Sequence, residues 1–556
     1  MRIAVAAGPD GGAVLRPVAD DGAPAGPAER VPDLAAAVAA REAAARADGA
    51  EPVRWVWAST ARLYPALLAA GTRAARCHDL ELVETLLLGH AGRYGEPRSV
   101  RAAHARLRGL PVPADPVPHG ADPQASLFDT GDPDPGDDLD QIVAVHAAQR
   151  RAMAPLPGFA LLAAAESAGA LAAAELGFDG LPWSAAAHDE LLTGLLGPRP
   201  APGLRPRKLQ DLADRVNEAF GVRGLNPDSP AQIVKAFAAA GHPVASTRAH
   251  VLKRLDHPAV PLLLEYKELA RLHTAHGWAW LDTWVRGGRF RAEYVAGGVV
   301  SGRWATNGGG ALQIPRVLRR AVVADDGWTL VVADAAQLEP RVLAALAGDR
   351  AFADAAAHGD LYAALAPAFP DTGGDLTPRG KAKLALLSAM YGGGTGDAAQ
   401  LLGVLKGRFP AAFGYVEDAA RTGERGGLVR SLLGRTCPPP SAGWRELTAT
   451  GEDERSATAL RGRGRFTRNF VVQATAADWA LALLAVLRGR LAELGPPRLV
   501  FFQHDEVIVH APDALAGAVV EAVRASAADA ARLLFGPTPV AFPMEIAAVR
   551  CYADAK

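Results

Sequence analysis

Apolar positions along this chain change period from region to region, and each change marks a boundary between elements. Over the first 150 residues, short apolar strands alternate with alanine-rich helical stretches; Arg2–Ala7 and Val53–Ala58 are the best strand candidates. Residues 111–136, rich in proline, glycine and aspartate, read as a loop. A long helical tract follows, interrupted near Pro155–Gly158, near Gly180–Pro182 and again over residues 197–208. From Leu209 to about Gly287 the pattern is helical, and Asn226-Pro-Asp-Ser-Pro230 supplies an N-cap with proline at the first helical position. From Arg289 the period shortens: RFRAEYVAG and WTLVVAD read as strands, the second ending at Asp334 and passing directly into a helix, QLEPRVLAALAG. Helices are expected over 379–391, 473–494 and about 513–534. LVFFQHDEVIVHA reads as two strands around a tight turn at His504-Asp505, and MEIAAVRCYA as a closing strand. Helices flanking a small antiparallel sheet make an α+β core.

Length and composition narrow the class. At roughly 100–200 residues per domain, 556 residues suggest about three to five structural units. Hydrophobic residues are 49% of the chain, too many for a disordered one, though much of that is alanine, which forms helix but fills little core. Lys plus Arg (59) against Asp plus Glu (60) gives a net charge of −1. That excludes a strongly basic protein but not a nucleic-acid enzyme, which needs only a local basic lining. Cys77, Cys437 and Cys551 form no disulfide framework and no paired metal motif, as in a reducing compartment. No uninterrupted apolar run of eighteen residues is present, so no membrane-spanning helix is expected. MRIAVAAGPDGG reads as strand and turn rather than signal peptide.

Chemistry enters with acids at strand ends. Asp334 ends one apolar strand, and Asp505 and Glu506 sit at the turn between two others. Carboxylates in such places either converge on a shared pair of Mg²⁺ ions, about 3.5–4 Å apart, or are ordinary turn acids. Arg379, Lys383, Leu387 and Tyr391 recur every four residues and share one broad helix face. The two cations there suit a triphosphate, and Leu387 and Tyr391 suit a base and sugar. Arg465, Asn469 and Gln473 repeat the spacing: an arginine for a phosphate or minor-groove acceptor, and two amides that can read base edges. An amphipathic surface helix would show either stripe as well.

Taken in order, these motifs resemble the family A DNA polymerases, the bacterial DNA polymerase I type. VVADAAQLEPR is similar to the first palm motif and places Asp334, Gln337, Glu339 and Arg341. RGKAKLALLSAMYGG is similar to the fingers-helix motif and QHDEV to the last palm motif, with His504, Asp505 and Glu506. SGRWATNGGGALQIPR places Arg303 and Gln313, and QATAAD continues the helix that carries Gln473. The likeness runs through residues 301–506 and more loosely back to about residue 158. Four positions depart from the family pattern: Ala335 and Ala336 stand for tyrosine and serine, Pro340 for leucine, and Leu387 for phenylalanine.

The resemblance implies a multidomain α+β right-hand polymerase with palm, fingers and thumb, preceded by an α/β exonuclease-like domain. The expected divisions are 1–150 (exonuclease-like), 151–300 (start of the polymerase region and thumb), 301–348 (palm), 349–440 (fingers) and 441–556 (palm). It implies Asp334 and Asp505 as ligands of two Mg²⁺, with Mn²⁺ able to substitute, and Glu506 and Lys383 beside them in catalysis. Nucleotide contacts fall to Arg379, Lys383, Leu387, Tyr391, Gln337, His504 and Glu339, the last closing off the ribose 2′ position. DNA contacts fall to Arg303, Gln313, Arg465, Asn469 and Gln473. The partners are primer–template DNA and dNTPs, for a monomeric enzyme of repair or gap filling, off the membrane, in the nucleoid-bearing cytoplasm. A non-catalytic primer–template binder and a metal-dependent nuclease are the alternatives. The N-terminal region looks degenerate: its first strands lack the Asp-x-Glu pair of a 3′–5′ exonuclease, and Asp79 and Glu81 have the spacing but follow a cysteine and a histidine.

Overall fold

The computed structural model describes residues 1–8, 10–116, 138–308, 310, 314–357, 359–369, 376–392, 397–449 and 453–555. The chain forms two compact units. One comprises residues 1–178, 293–306 and 331–547; the other comprises 179–292, 307–330 and 548–556.

The larger unit begins with a five-stranded sheet in the order Glu29–Val31, Ala13–Val18, Arg2–Ala7, Arg54–Trp57, Arg76–Asp79. The first two pairings are antiparallel and the last two parallel. Alternation in Arg2–Ala7 serves both faces. Ile3 and Val5 pack with Trp55, Trp57, Val38 and Tyr64, whereas Ala4 and Ala6 pack with Val56, Leu80, Ile142 and Val143. The strand Arg76–Asp79 escapes an apolar pattern because it reads Arg-Cys-His-Asp, yet Cys77, His78 and Asp79 are all buried. Asp79 owes its burial to capping: its carboxylate accepts from the backbone N–H of Leu82 (2.9 Å), opening the helix Leu80–His90, and from that of Thr60 (2.6 Å). Most of the loop expected over 111–136 lies outside the described residues.

A second sheet runs Arg498–Gln503, Glu506–Pro512, Trp328–Ala335, Met544–Val549. Its hairpin pairs Gln503 with Glu506, so only His504 and Asp505 form the turn. The helix Glu454–Leu494 is packed against the helix Ala516–Phe535, and its apolar residues join the same core as the hairpin strands. It starts nineteen residues before the expected 473; the arginine- and glycine-rich stretch that hides its first turns is held by an Asp453 cap. The helix Pro378–Tyr391 falls where its stripe requires, N-capped by Thr377. RFRAEYVAG is not one strand: Arg289–Phe290 closes a hairpin with Val285–Arg286 across Gly287 and Gly288, both at positive φ, and Glu293–Val295 pairs elsewhere.

Two helices, Phe159–Asp179 and Glu454–Leu494, are long and apolar enough to cross a membrane by composition, which a search for unbroken apolar runs misses. Their most apolar stretches are 72% and 83% buried within the fold, as core helices are.

Buried ions join these parts. Arg488, on the long helix, donates to both oxygens of Glu175 (2.7 and 2.6 Å) and to the carbonyls of Ala75 (2.7 Å) and Ala74. Tyr64 donates to the same Glu175 at 2.5 Å. The N-terminal sheet module is thereby pinned to the long helix by a guanidinium whose hydrogen bonds go to protein groups. Arg435 makes a similar node, donating to Asp478 (2.8 Å) and Glu166 (2.6 Å), with all three side chains at most 6% exposed. Burial works to strip its proton, but the two facing carboxylates outweigh burial and hold the guanidinium charged.

The smaller unit packs the helices Arg207–Ala219, Pro230–Ala239 and Ala259–His276 around Val216, Ile233, Phe237 and Leu263. Ser229 caps the second and Pro230 opens it, as its sequence requires.

Arg488→Met is expected to lower the unfolding free energy by about 3–5 kcal/mol, the cost of leaving a buried carboxylate without its partner. Adding Glu175→Gln to that variant should recover much of the loss. Denaturant unfolding reads both, and a wild-type midpoint for R488M would contradict the clamp.

Candidate active site

The site grows out of two corners in the larger unit's second sheet. At the first, the strand Trp328–Ala335 turns into the helix Leu338–Leu346 through Gln337, which takes left-handed backbone angles (φ 58°, ψ 45°). At the second, His504 opens the hairpin turn at φ 58°. These are the two non-glycine residues at positive φ among the described residues, and both line one cleft. Pro340 falls in the first helical turn, where a missing N–H costs nothing, so the departure from leucine leaves the corner intact. Arg341, fully buried, braces it by donating to the carbonyls of Ala336 (2.9 Å), Ala356 (2.7 Å), Ala541 (3.0 Å) and Gly359.

The corners bring the acids together. The Ala335 N–H donates to the Asp505 carbonyl at 3.1 Å, so Asp334 and Asp505 stand at neighbouring strand ends. Burial first, and the charge of Asp334 second, push the Asp505 carboxyl up to about 7. Glu506 is buried at the first residue of its strand. Beside Asp505 lies a cleft of about 260 Å³ lined by Arg303, Gln337, Glu339, Tyr391, Phe502 and His504, among others. Inside it Glu339 accepts from both Arg303 and the Tyr391 hydroxyl. Burial and the Glu339 charge raise the Tyr391 phenol. Burial, then Arg303, lowers the His504 imidazole.

The helix face Arg379, Lys383, Leu387, Tyr391 is partly engaged. Arg379 donates through Nε to Asp360 at 2.6 Å, and its guanidinium lies 5.6 Å from the Tyr362 ring centroid; the Lys383 ammonium lies 6.0 Å from the same ring. Leu387 is half-buried against the core. Gln337 does not point freely into the cleft: its amide donates to Asp360 at 2.6 Å and accepts from the Leu361 N–H at 2.9 Å. Asp360 and Tyr362 went unnoticed in the sequence. The available signal was a cap, an aspartate directly before a helical run at Leu361–Leu365.

The second stripe meets the end of that helix. Asn469, with its amide oriented to satisfy both groups, donates to the carbonyls of Met390 (2.6 Å) and Arg465 (3.2 Å). Gly392, at positive φ, lies so close to Arg465 that a Cβ there would stand 2.8 Å from its Cγ. Gln473 is half-buried one turn further along. Arg303 stands apart from this stripe, on Glu339. Gln313 lies outside the described residues. Among the described residues no group of three or more histidine, cysteine or acidic side chains is placed to hold a metal ion.

DNA polymerase I of Chloroflexus aurantiacus is 30% identical over 320 residues, 53% of this chain and 32% of that protein. The thermostable DNA polymerase I of Thermus aquaticus is 29% identical over 325 residues, 54% of this chain and 37% of that protein. The chain thus spans about a third of the length of these relatives. In fold it is similar to the POL domain of Pol1 from M. smegmatis, solved in complex with DNA primer-template and dNTP. The TM-score is 0.69 at 18% identity, over 99% of this chain and 95% of that one. The architecture is therefore the multidomain α+β right-hand polymerase fold. The sequence model of DNA polymerase family A matches residues 205–548, more than half of the chain and all of its corner motifs, and the chain belongs to that family.

Proposed function

We propose that this protein is a template-directed DNA polymerase that adds deoxynucleotides to a primer 3′ end, in repair or gap filling, without proofreading. The observation that carries this reading is the pairing of Asp334 and Asp505 at adjoining strand ends, beside a cleft that also holds Glu339, Tyr391 and Arg303. The donor set fits Mg²⁺. It offers hard oxygen ligands, and burial first, then the charge of Asp334, makes the Asp505 carboxyl resist ionisation. Two carboxylates are enough, because Mg²⁺ keeps several waters and takes the rest of its ligands from substrate phosphates. When bound, the ions lower the pKa of the attacking hydroxyl and stabilise charge on the transferring phosphoryl group; Mn²⁺ should substitute.

The chain's own residues supply position and charge. Asp334 and Asp505 would hold the cations, and Glu506 would support them from its buried place on the strand. Arg379 and Lys383 stand on one exposed helix face, four residues apart, where an incoming triphosphate would find both cations. Glu339, held by Arg303 and Tyr391, forms a rigid wall at the sugar, which suits exclusion of a ribose 2′ hydroxyl. His504 lines the same cleft. Arg465 and Gln473 follow along the long helix toward the primer–template, with Asn469 fixing the end of the fingers helix. A metal-dependent nuclease would have no use for the Arg379–Lys383 face, so the polymerase reading explains more of the site.

For the N-terminal module we propose a degenerate exonuclease-like fold with a structural role. Asp79 is spent on two backbone N–H groups, and the buried Glu42 on the Trp55 indole (2.8 Å) and the Ala75 N–H (3.0 Å). The strands Arg2–Ala7 and Arg54–Trp57 carry no acid.

Asp334→Ala should abolish primer extension while leaving duplex affinity near wild type, because its loss falls on transition-state charge. Gel-based extension and fluorescence anisotropy read the two quantities; an extending D334A protein would refute the assignment. A 3′-mismatched primer incubated with Mg²⁺ and no dNTPs should stay full length. Shortening that disappears in Asp79→Ala but persists in Asp505→Ala would make the module an active exonuclease.

A further inference from the structure

Asp360 joins two residues that sequence motifs assign separately to the incoming nucleotide. One of its oxygens, Oδ2, accepts from Arg379 Nε at 2.6 Å; the other, Oδ1, accepts from the Gln337 amide at 2.6 Å. Oδ1 also accepts from the backbone N–H groups of Tyr362 (2.9 Å) and Ala363 (3.3 Å), so the carboxylate is the N-cap of the helix Leu361–Leu365 and cannot swing away freely. Gln337 returns a bond to the same loop by accepting from the Leu361 N–H. Tyr362, 7% exposed, lays one ring face near both the Arg379 guanidinium and the Lys383 ammonium, at 5.6 and 6.0 Å. Burial alone would raise the Asp360 carboxyl; the hydrogen bonds from Arg379 and Gln337 outweigh burial and hold it below its usual range.

The geometry of the bond decides what it does. Asp360 meets Arg379 through Nε, so it is not a bidentate grip on the two terminal NH₂ groups, which remain the strongest donors toward a phosphate. An arginine side chain loses on the order of 2 kcal/mol of rotamer freedom when fixed. A carboxylate that is itself held by a helix cap removes much of that cost before the ligand arrives. We propose that Asp360, supported by Tyr362, is a positioning residue. It presets Arg379 and Gln337 in one arrangement for the phosphates of a nucleoside triphosphate and so sets nucleotide affinity without touching the nucleotide. This rests on the polymerase reading above.

The test separates charge from cap. Asp360→Asn keeps an oxygen for the two backbone N–H groups and for Gln337 but sets an amide N–H or a neutral oxygen against Arg379. The Kd for the correct dNTP is read from the concentration dependence of single-nucleotide incorporation by rapid quench, and independently by dNTP binding to the protein on a dideoxy-terminated primer–template. D360N should weaken that Kd roughly three- to tenfold, the scale of one partly exposed charge-assisted hydrogen bond, with the maximal rate within about twofold of wild type and an unchanged melting temperature. D360N/R379A should bind no more weakly than R379A alone, because the carboxylate acts through that arginine. If D360N folds poorly, Asp360→Ser, a cap without charge, carries the same comparison. An extending wild type with a D360N Kd equal to its own, or additive losses in the double variant, overturns the positioning role alone. A wild type that extends no primer overturns the polymerase reading and this inference with it.

Discussion

Two carboxylates held at neighbouring strand ends dominate this structure, because like charges brought together in a half-buried place cost free energy that something must offset. The strand Trp328–Ala335 and the hairpin turn at His504-Asp505 set that meeting, and the Ala335 to Asp505 backbone bond fixes it. The raised Asp505 carboxyl records the cost. Both corners also bend the backbone into the left-handed region at residues that are not glycine, Gln337 and His504. A chain selected for stability alone would relieve both features with a neutral side chain or a glycine. Their coincidence in one cleft marks where the fold gives up stability for chemistry.

The rest of the larger unit holds those corners still. Arg341 gathers four carbonyls behind the first of them. Arg435 ties the segment after the helix Pro410–Glu424 to the long helix through Asp478 and to the helix Phe159–Asp179 through Glu166. Arg488 does the same for the N-terminal module through Glu175. Each node is a guanidinium largely withdrawn from solvent, whose planar fork suits several fixed acceptors at once. Such nodes add little net stability over apolar packing but allow one arrangement only. The site we propose, with two acids and two cations on separate elements, would have use for that specificity.

Much of this was legible in the sequence, for identifiable reasons. Asp334, Asp505 and Glu506 stand at the ends of apolar runs, and strand ends can be read locally; so can the four-residue stripe of Arg379 to Tyr391, which the helix Pro378–Tyr391 reproduces. What was hidden depends on tertiary partners. The strand Arg76–Asp79 has too few apolar residues to announce itself, since neighbours supply its burial. The long helix begins among arginines and glycines of low amphipathicity, and RFRAEYVAG conceals a turn that two adjacent glycines only hint at. Asp360 could be read as a cap, but its bonds to Gln337 and Arg379 span 23 and 19 residues, and no local pattern encodes them. Asn469 has an amide suited to a base edge, but its bonds to the carbonyls of Met390 and Arg465 depend on a tertiary partner that no local spacing encodes.

We propose that the Asp334–Asp505 pair is built to be completed by divalent cations during nucleotide addition. A proton and a cation then compete for Asp505, whose folded pKa near 7 sets the pH at which the competition turns. Below that pH the carboxyl is protonated and must release its proton to serve as a ligand; above it no proton stands in the way. The direct measurement is single-turnover primer extension as a function of Mg²⁺ concentration from pH 6 to pH 9. The half-saturating Mg²⁺ concentration should rise steeply as the pH falls below about 7, approaching tenfold per unit, and should level off above it. A Mg²⁺ requirement that is the same across the range, or extension that proceeds without a divalent cation, would contradict the account.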